Sequence, residues 1–264
     1  MNARIPALLA GESDFRWRGA AVSRIEALSD AVFALALTLI VVALDPPSTF
    51  AQLTEAFVQA PVFAACFAFL AWCWLIHFRF HRRYGLEDLA TTWLNLALLF
   101  LILLYVYPLR FLASFLYQAL VLQRGWNVTD AQGVTLPLFE SQQQVRWLMW
   151  IYGAGFSAIF LILAALYARA WRLRAALELD SVERVITKSA LHSHLLSAGV
   201  GVLSIAISAL DERWVGLSGM VYGVLGPLHF AHGLATRRAV ERYRGKIPDA
   251  PMSKIPSSPN AKDS

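Results

Sequence analysis

The chain has 264 residues, of which 58% are hydrophobic and only 16% are charged. This composition excludes an ordinary soluble domain of this size and indicates a membrane protein. The formal net charge of +5 is expected from the cytoplasmic loops of such a protein, so no nucleic-acid partner is predicted.

Residues 1–23 contain charged side chains, among them Arg4, Glu12 and Arg18, and no adequate apolar run. A cleavable signal peptide needs such a run, so we predict a cytoplasmic N-terminal segment instead.

The stretch from Arg24 to Pro47 begins with polar residues and continues as an apolar segment long enough to cross a bilayer. On a helix at about 100° per residue, one face is aliphatic except for a single hydroxyl. The residues of this face lie within about 60° of Leu35: Leu28, Ala31, Thr38, Leu39 and Val42. Ser29 and Asp30 point at least about 120° away. A helix packed on all sides, with Asp30 as a cap or as the partner of an arginine, fits the same pattern.

The beginning of this stretch resembles a known signature. Arg24-x-x-x-Leu28-Ser29-Asp30, followed by Ala-Val-Phe-Ala-Leu-Ala-Leu-Thr, is similar to the R-x-x-x-F-S-D signature of the endosomal and lysosomal potassium channel family, in its bacterial single-repeat branch. The arginine, serine, aspartate and later threonine are retained, whereas Leu28 replaces the phenylalanine. The resemblance covers the first three apolar runs well and the last three by topology and length.

Six apolar runs follow one another along the chain, at about 27–44, 57–77, 90–107, 147–167, 189–209 and 214–232. Each is close to the roughly 20 residues that a spanning helix needs. After the third run, Pro108 precedes a further apolar stretch that extends the helix, lies along the interface or dips into the membrane. Cys66 and Cys73 lie too far apart on one helix for a disulfide, so we predict that they are packing residues.

Lysine and arginine are distributed unevenly among the loops. The N-terminal segment, the 78–89 loop, the 168–188 loop and the tail hold nineteen, and the other three loops hold four. By the positive-inside rule, both termini are cytoplasmic. We therefore predict an all-α membrane protein of the inner cell membrane, with six transmembrane helices within residues 24–236. Residues 237–264 are predicted to be a basic, disordered cytoplasmic tail.

The second and third runs carry polar residues. His77 matches the expected depth of Asp30 and is predicted to be its partner. His77 and His81 share a helix face, but no Cys, Asp or Glu on that face completes a ligand set, so no metal site is predicted. Asn95, on nearly the same face as Asp88, needs a hydrogen-bond partner in lipid. Such an asparagine serves either as contact between helices or as part of a transport path.

The sixth run contains Gly219 and Gly223, a G-x-x-x-G spacing that permits another helix to approach closely. No phosphate loop, nucleophile elbow, zinc-binding helix motif or dinucleotide fingerprint is present in the sequence. We therefore predict no catalytic set and no cofactor, and the chain is not expected to be an enzyme.

The resemblance implies a potassium-permeable cation channel, a homotetramer of six-helix subunits whose first helices line a central pore in the lipid bilayer. By motif position, it places Leu35 at a hydrophobic constriction, Thr38 and Leu39 beside it, and Val42 toward the outer end. Such a constriction gates by dewetting. The resemblance also implies a polar network that holds the pore helix in place: Arg24, Ser29, Asp30, His77, Asp88 and Asn95.

A proton-coupled secondary transporter is the alternative, with Asp30, His77 and Asp88 as a proton relay. Against it, the two halves of the chain show no corresponding pair of helices broken by Gly or Pro. Flux measured with and without a proton gradient distinguishes the two functions.

Overall fold

A computed structural model describes residues 14–19, 21–42, 48–58, 60–117, 127–129, 135–137 and 139–244. The helices in these ranges are α1 (Arg24–Val42), α2 (Phe50–Val58), α3 (Ala60–Tyr84), α4 (Leu89–Leu116), α5 (Gln142–Arg172), α6 (Ser181–Leu210), α7 (Val215–Met220) and α8 (Leu225–Arg244). The 3-10 turns Glu212–Trp214 and Val221–Val224 flank α7. The fold is helical, as predicted, apart from a hairpin of two antiparallel three-residue strands, β1 (Asn127–Thr129) and β2 (Thr135–Pro137).

One face of α1 packs against α3 and α4. Phe33, Ala36 and Ile40 recur three and four residues apart and are at most 2% exposed. This spacing places them on one side of a helix, where they join the buried core. The opposite side of α1 therefore remains free of contacts with α3 and α4.

A short connection turns the chain from α3 back into α4. Gly85 adopts a left-handed conformation with φ of 58°, and its N–H donates to the carbonyl oxygen of His81 at 2.8 Å. Glycine commonly ends a helix in this way because it lacks a Cβ. Asp88 then begins α4 by accepting hydrogen bonds from the backbone of Ala90 and Thr91.

Helix α4 continues through Pro108 to Leu116, so the stretch after the third run extends the helix. Proline lacks an N–H and disturbs the bonds of the preceding turn. Tyr152 of α5 binds α4 on both sides of this point. Its hydroxyl accepts from the Leu112 N–H at 2.8 Å, and its carbonyl accepts from the Tyr105 hydroxyl at 3.1 Å.

Helices α5 and α6 approach each other closely at a pair of glycines. A Cβ on Gly153 would lie 2.9 Å from the carbonyl oxygen of Gly201, a distance that real Cβ atoms avoid. The predicted G-x-x-x-G pair behaves differently, because Gly223 has nothing within 4 Å and Gly219 meets only the Met149 sulfur at 4.0 Å. Within the described chain, that pair therefore forms no close helix contact.

The sixth apolar run is divided into α7, a 3-10 turn and α8. Histidines of α8 bond to serines of α6, with His229 within 2.8 Å of the Ser197 hydroxyl and His232 within 2.9 Å of the Ser189 hydroxyl. Helix α8 ends at Arg244, so it includes the first part of the segment predicted to be disordered. Residues 245–264 lie outside the described ranges.

Four of the described helices are long and apolar enough to cross a membrane, judged by length and composition: α3, α4, α5 and α6. Helix α1 carries Arg24, Glu26 and Asp30 within its 19 residues, and the sixth run is interrupted. The count of six spans therefore remains a prediction. Cys66 and Cys73 are buried and unbridged, in agreement with their predicted packing role.

Candidate functional site

The exposed face of α1 contains the residues that the helical wheel grouped around Leu35. Leu35 is 50% exposed and Leu28 is 47% exposed, Ala31 and Thr38 are exposed, and Leu39 is half-buried. The side chain of Val42 lies outside the described residues. An aliphatic face that its own chain leaves uncovered is suited to contact lipid, another copy of the chain or a water-filled path.

Thr38 is the hydroxyl on this face. Its Oγ1 donates to the carbonyl oxygen of Leu35 at 2.7 Å, as threonine often does within a helix. Because the hydroxyl hydrogen is used inside α1, the remaining lone pairs of the oxygen are what Thr38 offers to the exposed face. The face therefore has a row of aliphatic groups with one hydrogen-bond acceptor among them.

A buried polar chain joins α1, α4 and α3 on the opposite side. Ser29 Oγ donates to the carbonyl oxygen of Ile25 at 2.7 Å and accepts from Asn95 Nδ2 at 3.0 Å. Asn95 Oδ1 lies 2.6 Å from His77 Nε2. The amide oxygen can only accept, so this histidine nitrogen carries the proton. All three side chains are at most 1% exposed, which makes each bond costly to lose.

Asp30 has a different partner from the predicted one. Trp74 Nε1 donates to Asp30 Oδ1 at 2.8 Å, whereas His77 bonds to Asn95. Asp30 is exposed, because it follows Ser29 by about 100° around the helix and lies at the edge of the buried face. The tryptophan reaches this edge, and the histidine faces the interior.

Asp88 lies in a separate contact at the start of α4. Its carboxylate accepts from Arg169 Nε at 3.0 Å and from Thr91 Oγ1 at 2.7 Å. Burial alone would raise the pKa of Asp88, but the hydrogen bonds from Arg169 and Thr91 outweigh it and lower the pKa to about 2. The carboxylate is therefore charged at neutral pH and is held between α4 and α5.

These partners separate the three residues of the predicted proton relay. Asp30 bonds to Trp74, His77 to Asn95, and Asp88 to Arg169. No hydrogen-bonded path joins the three within the described chain. Arg24, predicted to bind neighbouring helices, is exposed, and the described residues provide it with no hydrogen bond or ion pair.

Glu26 is a support of α1 that the sequence analysis left unassigned. Ser23 Oγ accepts from the Glu26 N–H, and Glu26 Oε1 accepts from the Ser23 N–H, which is the reciprocal arrangement of a capping box. The S-x-x-E spacing of Ser23 and Glu26 is the sequence signature of such a box. The same carboxylate lies 3.4 Å from the Arg82 guanidinium of α3, and no local pattern predicts that pair.

Glu183, at the start of α6, makes a second set of contacts that the sequence did not predict. It is fully buried, and its carboxylate is 3.1 Å from Arg16 and 2.7 Å from Arg18. The N–H of Gly19 also donates to the Arg82 carbonyl oxygen at 3.1 Å. These bonds attach the segment before α1 to α3 and α6. A buried carboxylate needs such partners, since an unpaired charge is expensive to bury.

Comparisons with known proteins point to one family. A family model described as endosomal/lysosomal potassium channel TMEM175 matches residues 24–105. A potassium channel of Marivirga tractuosa is 39% identical over 235 residues, which are 87% of this chain and 93% of that protein.

Two crystal structures resemble the fold. A variant of the potassium channel MtTMEM175, in complex with a nanobody–MBP fusion protein, matches with a TM-score of 0.73 at 37% identity and covers 86% of this chain and 98% of its own. A lysosomal potassium-selective channel TMEM175 homolog from Chamaesiphon minutus matches with a TM-score of 0.51 at 24% identity, over 81% of this chain and 96% of its own.

Proposed function

Because the chain belongs to the TMEM175 family of endosomal/lysosomal potassium channels, we propose that it is a potassium-permeable cation channel that assembles as a homotetramer in the inner cell membrane. Four copies of α1 line a central pore with their aliphatic faces toward the axis. Leu35 forms the main constriction, Thr38 and Leu39 adjoin it, and Val42 lies toward the outer end.

The observation that carries this proposal is the division of α1 into two faces. Phe33, Ala36 and Ile40 are buried, while Leu35 is 50% exposed and Thr38 is exposed. A helix face that met only acyl chains would gain nothing from a hydroxyl at its centre. Thr38 therefore favours a face that meets water and ions at least part of the time.

A ring of leucines can act as a hydrophobic gate for ions without any charged group. A narrow aliphatic ring excludes water, and its methyl groups supply no oxygen atoms to replace the hydration shell of an ion, so a dry ring stops the current. In a tetramer the lone pairs of four Thr38 hydroxyls lie next to the Leu35 ring. They supply cation-binding oxygens on one side of it, which suits a potassium ion that has just lost part of its water.

The polar chain Ser29–Asn95–His77 has a positioning role in this proposal. It joins α1 to α4 and α3 through bonds of 3.0 and 2.6 Å. Hydrogen bonds have strong angular preferences, so this chain fixes the rotation of α1 about its own axis. A fixed rotation keeps Leu35 directed toward the pore.

We also propose that six segments cross the membrane and that both termini are cytoplasmic. The alternation of nineteen against four basic residues among the loops supports this arrangement. No enzymatic activity is proposed, since the relatives are named as potassium channels.

Reversal potentials of the purified protein in planar bilayers test the function. Under opposed potassium and sodium gradients, we expect a current that reverses close to the potassium equilibrium potential and needs no proton gradient. Native mass spectrometry of the same sample should give four chains per particle. Flux that depends on a proton gradient, or a particle without four chains, would contradict the proposal.

A further inference from the structure

Helices α6 and α8 border an open groove of about 590 Å³ at the surface, away from α1. Helix α6 contributes His192, Leu195, Gly199 and Leu203 among others, and α8 contributes Leu228 and His232. Apart from the two histidines, these lining residues are apolar. A surface groove of this kind in a membrane-spanning bundle is open to lipid.

The groove has the length of one bilayer leaflet. From His192 to Leu203 along α6 is about 16 Å at about 1.5 Å per residue. Half of a hydrocarbon core of about 30 Å is about 15 Å. The groove therefore fits one acyl chain lying along the helices.

Basic residues of α6 lie beyond one end of the groove. The stripe of α6 that lines it continues by steps of four residues to Lys188 and Arg184, which are both exposed. The acidic residues of α6 and α8, Glu183 and Glu241, are already paired with arginines. This end therefore presents a net positive charge beside an apolar channel.

We propose that this groove binds an anionic phospholipid, with one acyl chain between α6 and α8 and the headgroup at Lys188. The charge distribution of the loops puts this end at the cytoplasmic side, where a negative membrane surface attracts basic residues. The site is separate from the pore and does not depend on the pore residues. His192, one turn inside Lys188, lies at the depth of the glycerol and ester groups.

Gly199 in the middle of the groove provides a way to fill it. A Cβ placed on Gly199 meets nothing within 4 Å, and Gly199 lines the groove, so we expect the ring of Gly199→Trp to occupy the groove. Gly226 of α8 is equally open and exposed but does not line the groove. Gly226→Trp is therefore a matched control for the added ring.

Native mass spectrometry of protein extracted from membranes containing phosphatidylglycerol and phosphatidylcholine tests the proposal. We expect wild type and Gly226→Trp to retain phosphatidylglycerol and Gly199→Trp to lose it. Lys188→Ala should retain about fivefold less phosphatidylglycerol, because one basic residue at an anionic surface contributes about 1 kcal/mol. Its retention of phosphatidylcholine should not change.

Three results would overturn the proposal. The first is full retention of phosphatidylglycerol by Gly199→Trp. The second is an equal loss of both lipids in Lys188→Ala, which would mean that the headgroup is not recognised. The third is a change in the number of chains per particle in Gly199→Trp with lipid retained, which would make the groove a contact between copies. Potassium current recorded in the same variants separates this outcome from a failure of the proposed pore.

Discussion

Replacing Leu35 by alanine tests the proposed constriction directly. The substitution removes Cγ and both Cδ atoms, so each side chain becomes shorter by about 2.5 Å, the end-to-end span of two C–C bonds of about 1.5 Å that meet at a tetrahedral angle. In a four-fold ring the opening widens by about 5 Å across the axis, which exceeds the diameter of about 2.8 Å of a water molecule. The ring should then stay wet.

We expect a higher single-channel conductance and a weaker preference for potassium over sodium. Loss of about 1 kcal/mol from the barrier at the ring would raise the conductance about fivefold. Because Leu35 is 50% exposed, the loss of folding stability should be under about 2 kcal/mol, below the range for a buried leucine. Leu35→Asn should also wet the ring, by adding polar groups instead of space.

Phe33 provides the control on the opposite face. It is 2% exposed, so Phe33→Leu should lower the free energy of unfolding by about 1 kcal/mol and leave conductance and selectivity close to wild type. Single-channel recording in planar bilayers measures all three variants. If Leu35→Ala conducts like wild type while Phe33→Leu changes permeation, the pore has been assigned to the wrong face of α1.

Three further predictions concern the support of α1, the start of α4 and the topology. Asn95→Ala should lower the free energy of unfolding by about 2–4 kcal/mol, since it removes the acceptor of buried His77 Nε2 and the donor to buried Ser29 Oγ. The exposed Asp30→Ala should cost less, and thermal unfolding in detergent that ranks the two in the opposite order would refute the network. Asp88 has a folded-state pKa of about 2, below that of the unfolded chain, so it stabilises the fold above about pH 4 and this contribution is lost as pH falls toward 2. Asp88→Asn should therefore be less stable than wild type at neutral pH, and thermal unfolding as a function of pH should show that difference shrinking on acidification; a constant difference would speak against the ion pair. A cysteine placed at Ser48 should react with an impermeant thiol reagent from outside the cell, and one at Ser257 only after permeabilisation; labelling of Ser257 in intact cells contradicts the orientation.

The two faces of α1 could be predicted because they depend on local periodicity alone. A rotation of about 100° per residue about the helix axis fixes which side chains share a face. The structure exposes Leu35 and buries Phe33. The apolar runs likewise gave the approximate positions of the long helices, since burial in lipid requires length and composition more than particular residues.

Partners between helices could not be predicted with the same accuracy. Asp30 and His77 have compatible depths, but their rotations differ, so Asp30 meets Trp74 and His77 meets Asn95. Rotation depends on how whole helices pack, which no short motif contains. The pairing of Glu183 with the N-terminal arginines joins segments far apart in sequence, and nothing near Glu183 identifies its partners.

The glycines show the same limit. A G-x-x-x-G spacing indicates where a helix permits close approach, but a second helix must also be present. In the described chain that neighbour exists at Gly153 and Gly201 and is absent at Gly223.

The contacts that join α1 to its neighbours differ between its two ends. Its polar contacts with other helices are made by Glu26, Ser29 and Asp30, all in the first two turns, and the rest of its buried face is apolar. Hydrogen bonds depend on direction, whereas apolar contacts tolerate sliding. The orientation of the first two turns is therefore set by polar bonds, while the following turns are held to their neighbours by apolar contacts alone. A widening at Leu35 would then come from a bend of α1 after its first two turns. A rotation of the whole helix would first have to break the polar bonds of those turns.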